Sequence, residues 1–214
     1  MLNRYFHALA ISAAAVGAAP LAAEAAVITA AGTSGVVTSA PAGLDGYIFY
    51  WVNNSSDLVS PASYVSVVTN GASRYSQPSY ADLTVGLTTY DTGIGYHDTA
   101  VTTPEVATLT VLTAGTFTIG VLMNNVNSAN VPNDLNVVGS NTATQDPGTS
   151  ENQNIFYYFN VNASVNDVIK IVVPSSPNFN RGFGGITFDN FVVPEPATLS
   201  MLAVGGAAML RRRR

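Results

Sequence analysis

No cysteine occurs in this 214-residue chain. For an exported protein that excludes a disulfide framework, and it also excludes thiolate metal sites and cysteine nucleophiles. Histidine is almost as scarce, with His7 and His97 alone. Charged residues make up only 10% of the chain, and most of the basic ones lie at its ends: Arg4 at one, Arg211 to Arg214 at the other. Between Ala26 and Val193 only Arg74, Lys170 and Arg181 stand against eleven acids, a net of −8. A body of that sign repels phosphate backbones and has no basic stripe to track one, so nucleic acid is excluded as a partner. Also lacking is any sustained i, i+3, i+4 spacing of apolar residues, the mark of an amphipathic helix.

What is present is most distinctive at the two ends. Arg4 precedes Ala8 to Ala19, a run of small or apolar residues, and Ala23-Glu24-Ala25 offers an A-x-A cleavage site. A permanent membrane helix needs about 20 apolar residues, and Pro20 stops this run short. Residues 1–25 are therefore expected to form a secretory signal helix removed by signal peptidase, with the mature chain beginning near Ala26.

At the other end stand Pro194, Glu195 and Pro196, then Ala197 to Leu210, then Arg211, Arg212, Arg213 and Arg214. Each proline lacks an N–H and fixes φ, so the pair ends the preceding strand. The next 14 residues carry no charge. As a helix they would rise about 21 Å, short of a hydrocarbon core of about 30 Å. The arginines would remain on the cytoplasmic side as a stop. An extended joint, a short apolar helix and a basic stop together hold a cleavage point at the outer face of the membrane.

This tail, "VPEPATLSMLAVGGAAMLRRRR", resembles the PEP-CTERM sorting signal. The resemblance implies that Pro194, Glu195 and Pro196 are the recognition motif and that Ala197 to Leu210 inserts transiently in the inner membrane. It also implies processing by an exosortase-like protease. Members of that family are typical of bacteria that make extracellular polysaccharide and biofilm.

Between the signals, residues 26–193 are rich in Thr, Ser, Asn, Gly and Val, with short apolar runs separated by turn residues. Alternation predicts strands at Tyr47 to Val52, Tyr64 to Val68, Val106 to Leu112, Thr116 to Met123, Leu135 to Val138, Ile155 to Val161, Val168 to Val173 and Ile186 to Val193. In Thr116 to Met123, Phe117, Ile119, Val121 and Met123 share one face. Leu122 breaks the polarity of the other, which suggests that this face is covered too. Ala114-Gly115 reads as a tight hairpin, and Asn124 to Asp134 and Ser140 to Gln153 read as loops. About eight short strands at this spacing imply an all-β fold, a two-sheet antiparallel β-sandwich of jelly-roll type.

The order "AGTFTIGVLMNN", "LNVVG", "IFYYFNVNASVNDVIKIVV" and "GITFDNFVV" resembles galactose-binding-like jelly rolls. In such domains an aspartate-bearing strand closes the sandwich, as Ile186 to Val193 with Asp189 would. The resemblance implies a fold and not an activity.

Catalytic constellations are absent from the sequence. His97 is the one histidine outside the signal, and the adjacent Asp98 would point away from it on an extended segment. No G-x-S-x-G, H-E-x-x-H or phosphate-binding glycine loop occurs. No enzymatic activity is expected. A ligand site is more plausible around Tyr75, Tyr80, Tyr90, Tyr96, His97 and Asp98, where rings could face sugar C–H groups and acids could meet hydroxyls. The simpler reading packs these tyrosines over the sandwich edge. Asp134, Asp146, Glu151 and Asp189 lie in or beside Asn-rich loops, so a structural calcium could be held by oxygen donors there, although no D-x-D-x-D-G run is present. Sequons occur at Asn53, Asn54 and Asn162. Taken together, the sequence predicts a non-enzymatic cell-surface or extracellular-matrix protein. The alternative is a carbohydrate-binding module for surface polysaccharide.

Overall fold

The computed structural model describes residues 25–52, 56–70, 74–75, 82–91, 94–96, 105–126, 135–146, 153–173 and 181–193. The expected signal helix and the expected C-terminal helix lie outside them. Among the described residues there is no helix, and hence none long and apolar enough to cross a membrane.

Two antiparallel sheets face each other, as the alternation predicts. The larger runs in the order β1 (Val27–Val37), β13 (Asn154–Ala163), β10 (Gly115–Val126), β15 (Arg181–Val192), β2 (Gly46–Val52) and β3 (Ser56–Ser60). Two short strands, β5 (Arg74–Tyr75) and β8 (Ile94–Tyr96), extend it beside the start of β15. The smaller sheet runs β12 (Thr142–Gln145), β11 (Leu135–Val138), β14 (Val168–Val172), β9 (Glu105–Val111) and β4 (Val65–Thr69). A separate hairpin joins β6 (Asp82–Val85) to β7 (Thr88–Asp91).

The period-2 pattern determines what fills the space between the sheets. Phe117, Ile119, Val121 and Met123 from β10 and Tyr157, Phe159 and Val161 from β13 meet Leu109, Val111, Ile169 and Ile171 from the smaller sheet, all buried. β9 and β10 lie in opposite sheets, each turning an apolar face to the core between them. The stretch from Leu112 to Ala114 is therefore an arch across the core and not the tight hairpin its sequence suggests. A second arch follows β13, turning through Asn166 at φ 70°. The arches hold each other: Asn166 N–H donates to the Val111 carbonyl and Val111 N–H to the Asp167 carbonyl, at 2.8 and 3.0 Å.

On one side the sheets are stitched together by a side chain. Asn141, in the turn between β11 and β12, accepts from Ile28 N–H through Oδ1 (2.8 Å) and donates from Nδ2 to the Ile28 carbonyl (2.7 Å). Its amide thus imitates a strand partner for β1. Gly139 in the same turn leaves room for the Ala26 carbonyl, which a Cβ there would strike. Ser140 to Gln153, expected as a loop, therefore contains β12. Its local signal is weak because Ala143 is its one buried apolar side chain, and it owes its strand form to pairing with β11.

The outer face of the larger sheet is covered over part of its area. Phe49, Leu122 and Phe156 project there and are sealed by Leu83 of the β6–β7 hairpin. Leu122, which breaks the alternation, is fully buried in this second cluster. The hairpin is tied on by Asn154 Nδ2 donating to the Asp82 carbonyl (2.8 Å) and by backbone bonds between Thr84 and the Thr38 to Ala40 segment.

Candidate functional site

The ligand site expected between Tyr75 and Asp98 lies largely outside the described residues. Tyr90 lies on β7, half-buried against the Phe49, Leu122 and Phe156 cluster, so it packs. Tyr75 and Tyr96 lie on neighbouring strands, with Tyr75 opposite Gly95 and Arg74 opposite Tyr96. Tyr80, His97 and Asp98 lie outside the described residues, as do Asp134, Glu151, Pro194, Glu195, Pro196 and Arg211 to Arg214. Among the described residues no group of three or more His, Asp or Glu side chains could hold a metal ion. Oδ1 of Asp189 accepts the N–H of Asn190 at 2.7 Å.

A different concave surface emerges from strand register. Along β13, Phe156, Tyr158, Asn160 and Asn162 alternate onto the outer face of the larger sheet, and polarity rises along the strand. The neighbouring strands follow the same gradient. One row across the sheet reads Phe156, Leu122, Gly185 and Phe49, and is the part covered by the hairpin. The next reads Gly32, Tyr158, Gly120 and Thr187. The third reads Thr29, Asn160, Thr118 and Asp189, four polar residues on four adjacent strands.

Two cavities open along these rows. One of about 430 Å³ is lined by Tyr158, Asn160, Thr118, Gly120, Thr187, Asp189 and Asn190, together with Ala31, Pro41 and Leu44. The other, about 410 Å³, shares Thr118, Asn160 and Asn190 and continues to Thr29, Thr116 and Asn162. Both volumes fall in the range of small-ligand clefts. Gly120 forms the floor: a Cβ there would strike the Thr187 hydroxyl and crowd the Tyr158 ring. That ring is supported by Phe156, stacked at a centroid distance of 6.1 Å.

A β-bulge supplies the polar wall. Ile119 pairs with Phe188 and Thr118 with Asp189, but Thr116 pairs with Val192, so β15 carries one residue more than β10. Asn190 takes the extra place at φ 59°, a left-handed conformation that Asn tolerates better than most residues. Strict alternation would turn Asn190 inward and Phe191 outward. The bulge keeps Asp189 and Asn190 on the groove side and lets Phe191 stack on Tyr64. The sequence signal was the doublet Asp189-Asn190 between Phe188 and Phe191, which suits no unbroken strand.

The groove's chemistry is mostly neutral. Among the described residues, Asp189 is the one carboxylate lining either cavity, and no basic side chain lines them. Asn160 Oδ1 accepts from the Thr118 hydroxyl (3.2 Å), which leaves the amide N–H pair for other acceptors. The Tyr158 hydroxyl is held above its ordinary titration range, by burial first and by the Asp189 carboxylate second. It stays a neutral donor and acceptor near neutral pH.

The comparisons with known proteins bear on the tail. Residues 192–214 match the PEP-CTERM protein-sorting motif. No curated protein and no solved structure matches the chain. The match marks an exported protein with a C-terminal sorting signal, transiently membrane-associated during sorting and processed by exosortase-type machinery.

Proposed function

We propose that this protein is a non-enzymatic component of the cell surface or extracellular matrix, associated with extracellular polysaccharide after its tail is trimmed. The observation that carries the reading is the sorting motif at residues 192–214, which starts where β15 ends. Val192 and Val193 are 59% and 58% exposed, so cleavage beyond them removes nothing from the described core. A sandwich whose last strand is central in its sheet can therefore remain complete on either side of processing. The jelly-roll reading of the body accords with connections that pass between the sheets at both arches. The scarcity of histidine in the body, where His97 stands alone, supports a role without catalysis.

Mass spectrometry of the surface-localised form from the native host tests the sorting. The expected species starts near Ala26 and lacks Arg211 to Arg214. A surface form that retains those arginines would overturn the processing. Digestion of the host's extracellular polysaccharide tests the association: it should release the protein from the cells, and retention after complete digestion would overturn it.

A further inference from the structure

We infer that the groove over the Thr29, Asn160, Thr118 and Asp189 row binds an uncharged glycan chain. A solvated sheet face needs only polar side chains. This one has in addition a floor glycine, an aromatic ring at the border of the polar row, and a bulge that turns two consecutive polar residues the same way. Those are the parts that recognition of a polyol requires. A ring presents an apolar face to sugar C–H groups, and a few oriented amides and carboxylates meet the hydroxyls.

Each group has a defined capacity. Tyr158 is half-buried and fixed against Phe156, so docking on its exposed part costs little side-chain entropy. Asn160 offers its N–H pair, since its carbonyl oxygen is engaged by Thr118. Asp189 Oδ1 is engaged by Asn190 N–H, and Oδ2 accepts no other hydrogen bond among the described residues. The row crosses four strands, roughly 14 Å at the usual spacing between strands. That is an extended site for a short stretch of polymer, larger than one monosaccharide needs.

Charge selects the class of glycan. Among its described lining residues the groove has a carboxylate and no cation, within a body of net −8. A uronate or phosphate polymer would meet repulsion with nothing to offset its desolvation. A neutral hexose polymer would meet none. Tyr90 is not among the groove's described lining residues and packs on the other part of the same sheet face.

The inference rests on the proposed association with extracellular polysaccharide, and its test is separate. The exported protein would be titrated by calorimetry and on an array with neutral gluco-, galacto- and manno-hexaoses and with oligoguluronate. Saturable binding of at least one neutral hexaose is expected, with oligoguluronate inert. Asn160→Ala and Asp189→Ala should each weaken it about tenfold or more, which corresponds to about 1.4 kcal/mol. Ala31 is exposed and lines the groove, so Ala31→Trp would fill it without removing any side-chain hydrogen bond, and should abolish binding while leaving the unfolding midpoint unchanged. Lys170→Gln, on the smaller sheet, should bind as the parent does. Three results would overturn the site: no neutral hexaose bound at millimolar concentration, a preference for oligoguluronate, or binding untouched by Ala31→Trp. Intact binding in a protein that polysaccharide digestion fails to release would instead overturn the proposed association and leave the groove standing.

Discussion

The hydroxyl of Tyr64 donates to Oδ2 of Asp45 across 3.1 Å, and the same oxygen accepts the N–H of Phe191 at 3.1 Å. Tyr64 lies just before β4 in the smaller sheet, while Asp45 lies just before β2 in the larger one. Phe191 stacks on the Tyr64 ring with centroids 4.0 Å apart and planes within 7°. One carboxylate thus ties the two sheets together at the end from which the sorting signal leaves.

Tyr64→Phe keeps the stack and deletes one charge-assisted hydrogen bond, so it should lower unfolding free energy by about 1–3 kcal/mol. Asp45→Ala should cost more, since it also strips the Phe191 N–H of its acceptor. Urea unfolding of the two variants checks the order. Equal losses would mean that the Phe191 bond contributes nothing.

Three tyrosines make the fold sensitive to alkali. Burial, then the charge of Asp45 and the hydrogen bond to it, pushes the Tyr64 hydroxyl far above its ordinary 10.0. Tyr157 is pushed up to about 12 by burial and then by Asp146, and Tyr158 upward by burial and Asp189. A raised folded value means that the native state holds its proton more tightly than the unfolded chain does. That stability is complete below about pH 10 and is lost as pH climbs through the folded values. The urea midpoint should hold steady to about pH 9–10 and then fall steeply toward about pH 12. A Tyr64→Phe, Tyr157→Phe double variant should flatten the fall. An unchanged slope in that variant would sink the assignment.

Much of this architecture is legible before folding, and the exceptions have physical causes. Every strand with a clean apolar alternation, such as Leu135–Val138 or the stretch around Phe117 to Met123, forms where its pattern places it. Leu122 even signals that the second face of β10 is covered. What local pattern lacks is partnership. The strand at Val27–Val37 is mostly exposed and interrupted by irregular pairing, so its apolar side chains carry little periodic signal. The arch at Leu112 to Ala114 looks like a hairpin because a turn's sequence says nothing about whether the next strand pairs or crosses. The groove is visible only across strands: Thr29, Asn160, Thr118 and Asp189 are far apart in the chain and meet through register alone.

Glu105 anchors a small polar cluster on the outside of the smaller sheet. It accepts from Lys170 at 2.7 Å, from Asn70 at 3.0 Å and from the Thr108 hydroxyl. The Lys170 hydrogen bond, followed by that of Thr108, holds its carboxyl below the ordinary value. A lowered folded value contributes stability above about pH 4.5 and loses it as pH falls through the folded value. The side chains are 48% and 28% exposed, so Lys170→Met should cost less than about 1 kcal/mol at neutral pH. That loss should shrink in high salt and disappear in acid. Glu105→Gln should cost more, because three donors lose a charged acceptor. A Lys170→Met penalty indifferent to salt would point to packing of the lysine stem instead.

Asn141 offers the sharpest test of how the sandwich closes. Its amide pairs with both backbone groups of Ile28, a buried residue, and so joins β1 to the smaller sheet's far edge. In Asn141→Ala both groups lose their partner at once, at about 1–3 kcal/mol each if water cannot enter. Ser140 N–H still reaches the Ala26 carbonyl at 2.8 Å, so the turn itself should persist. The expected result is therefore local. Amide exchange should accelerate at Ile28, while amides of β10 and β13 keep protection close to that of the parent. Asn141→Asp separates the two bonds: it retains an acceptor for Ile28 N–H but sets a carboxylate against the Ile28 carbonyl, so it should resemble the alanine variant at neutral pH and recover as the carboxyl is protonated. Parent-like exchange at Ile28 in both variants would show that the Asn141 pair contributes nothing to holding β1.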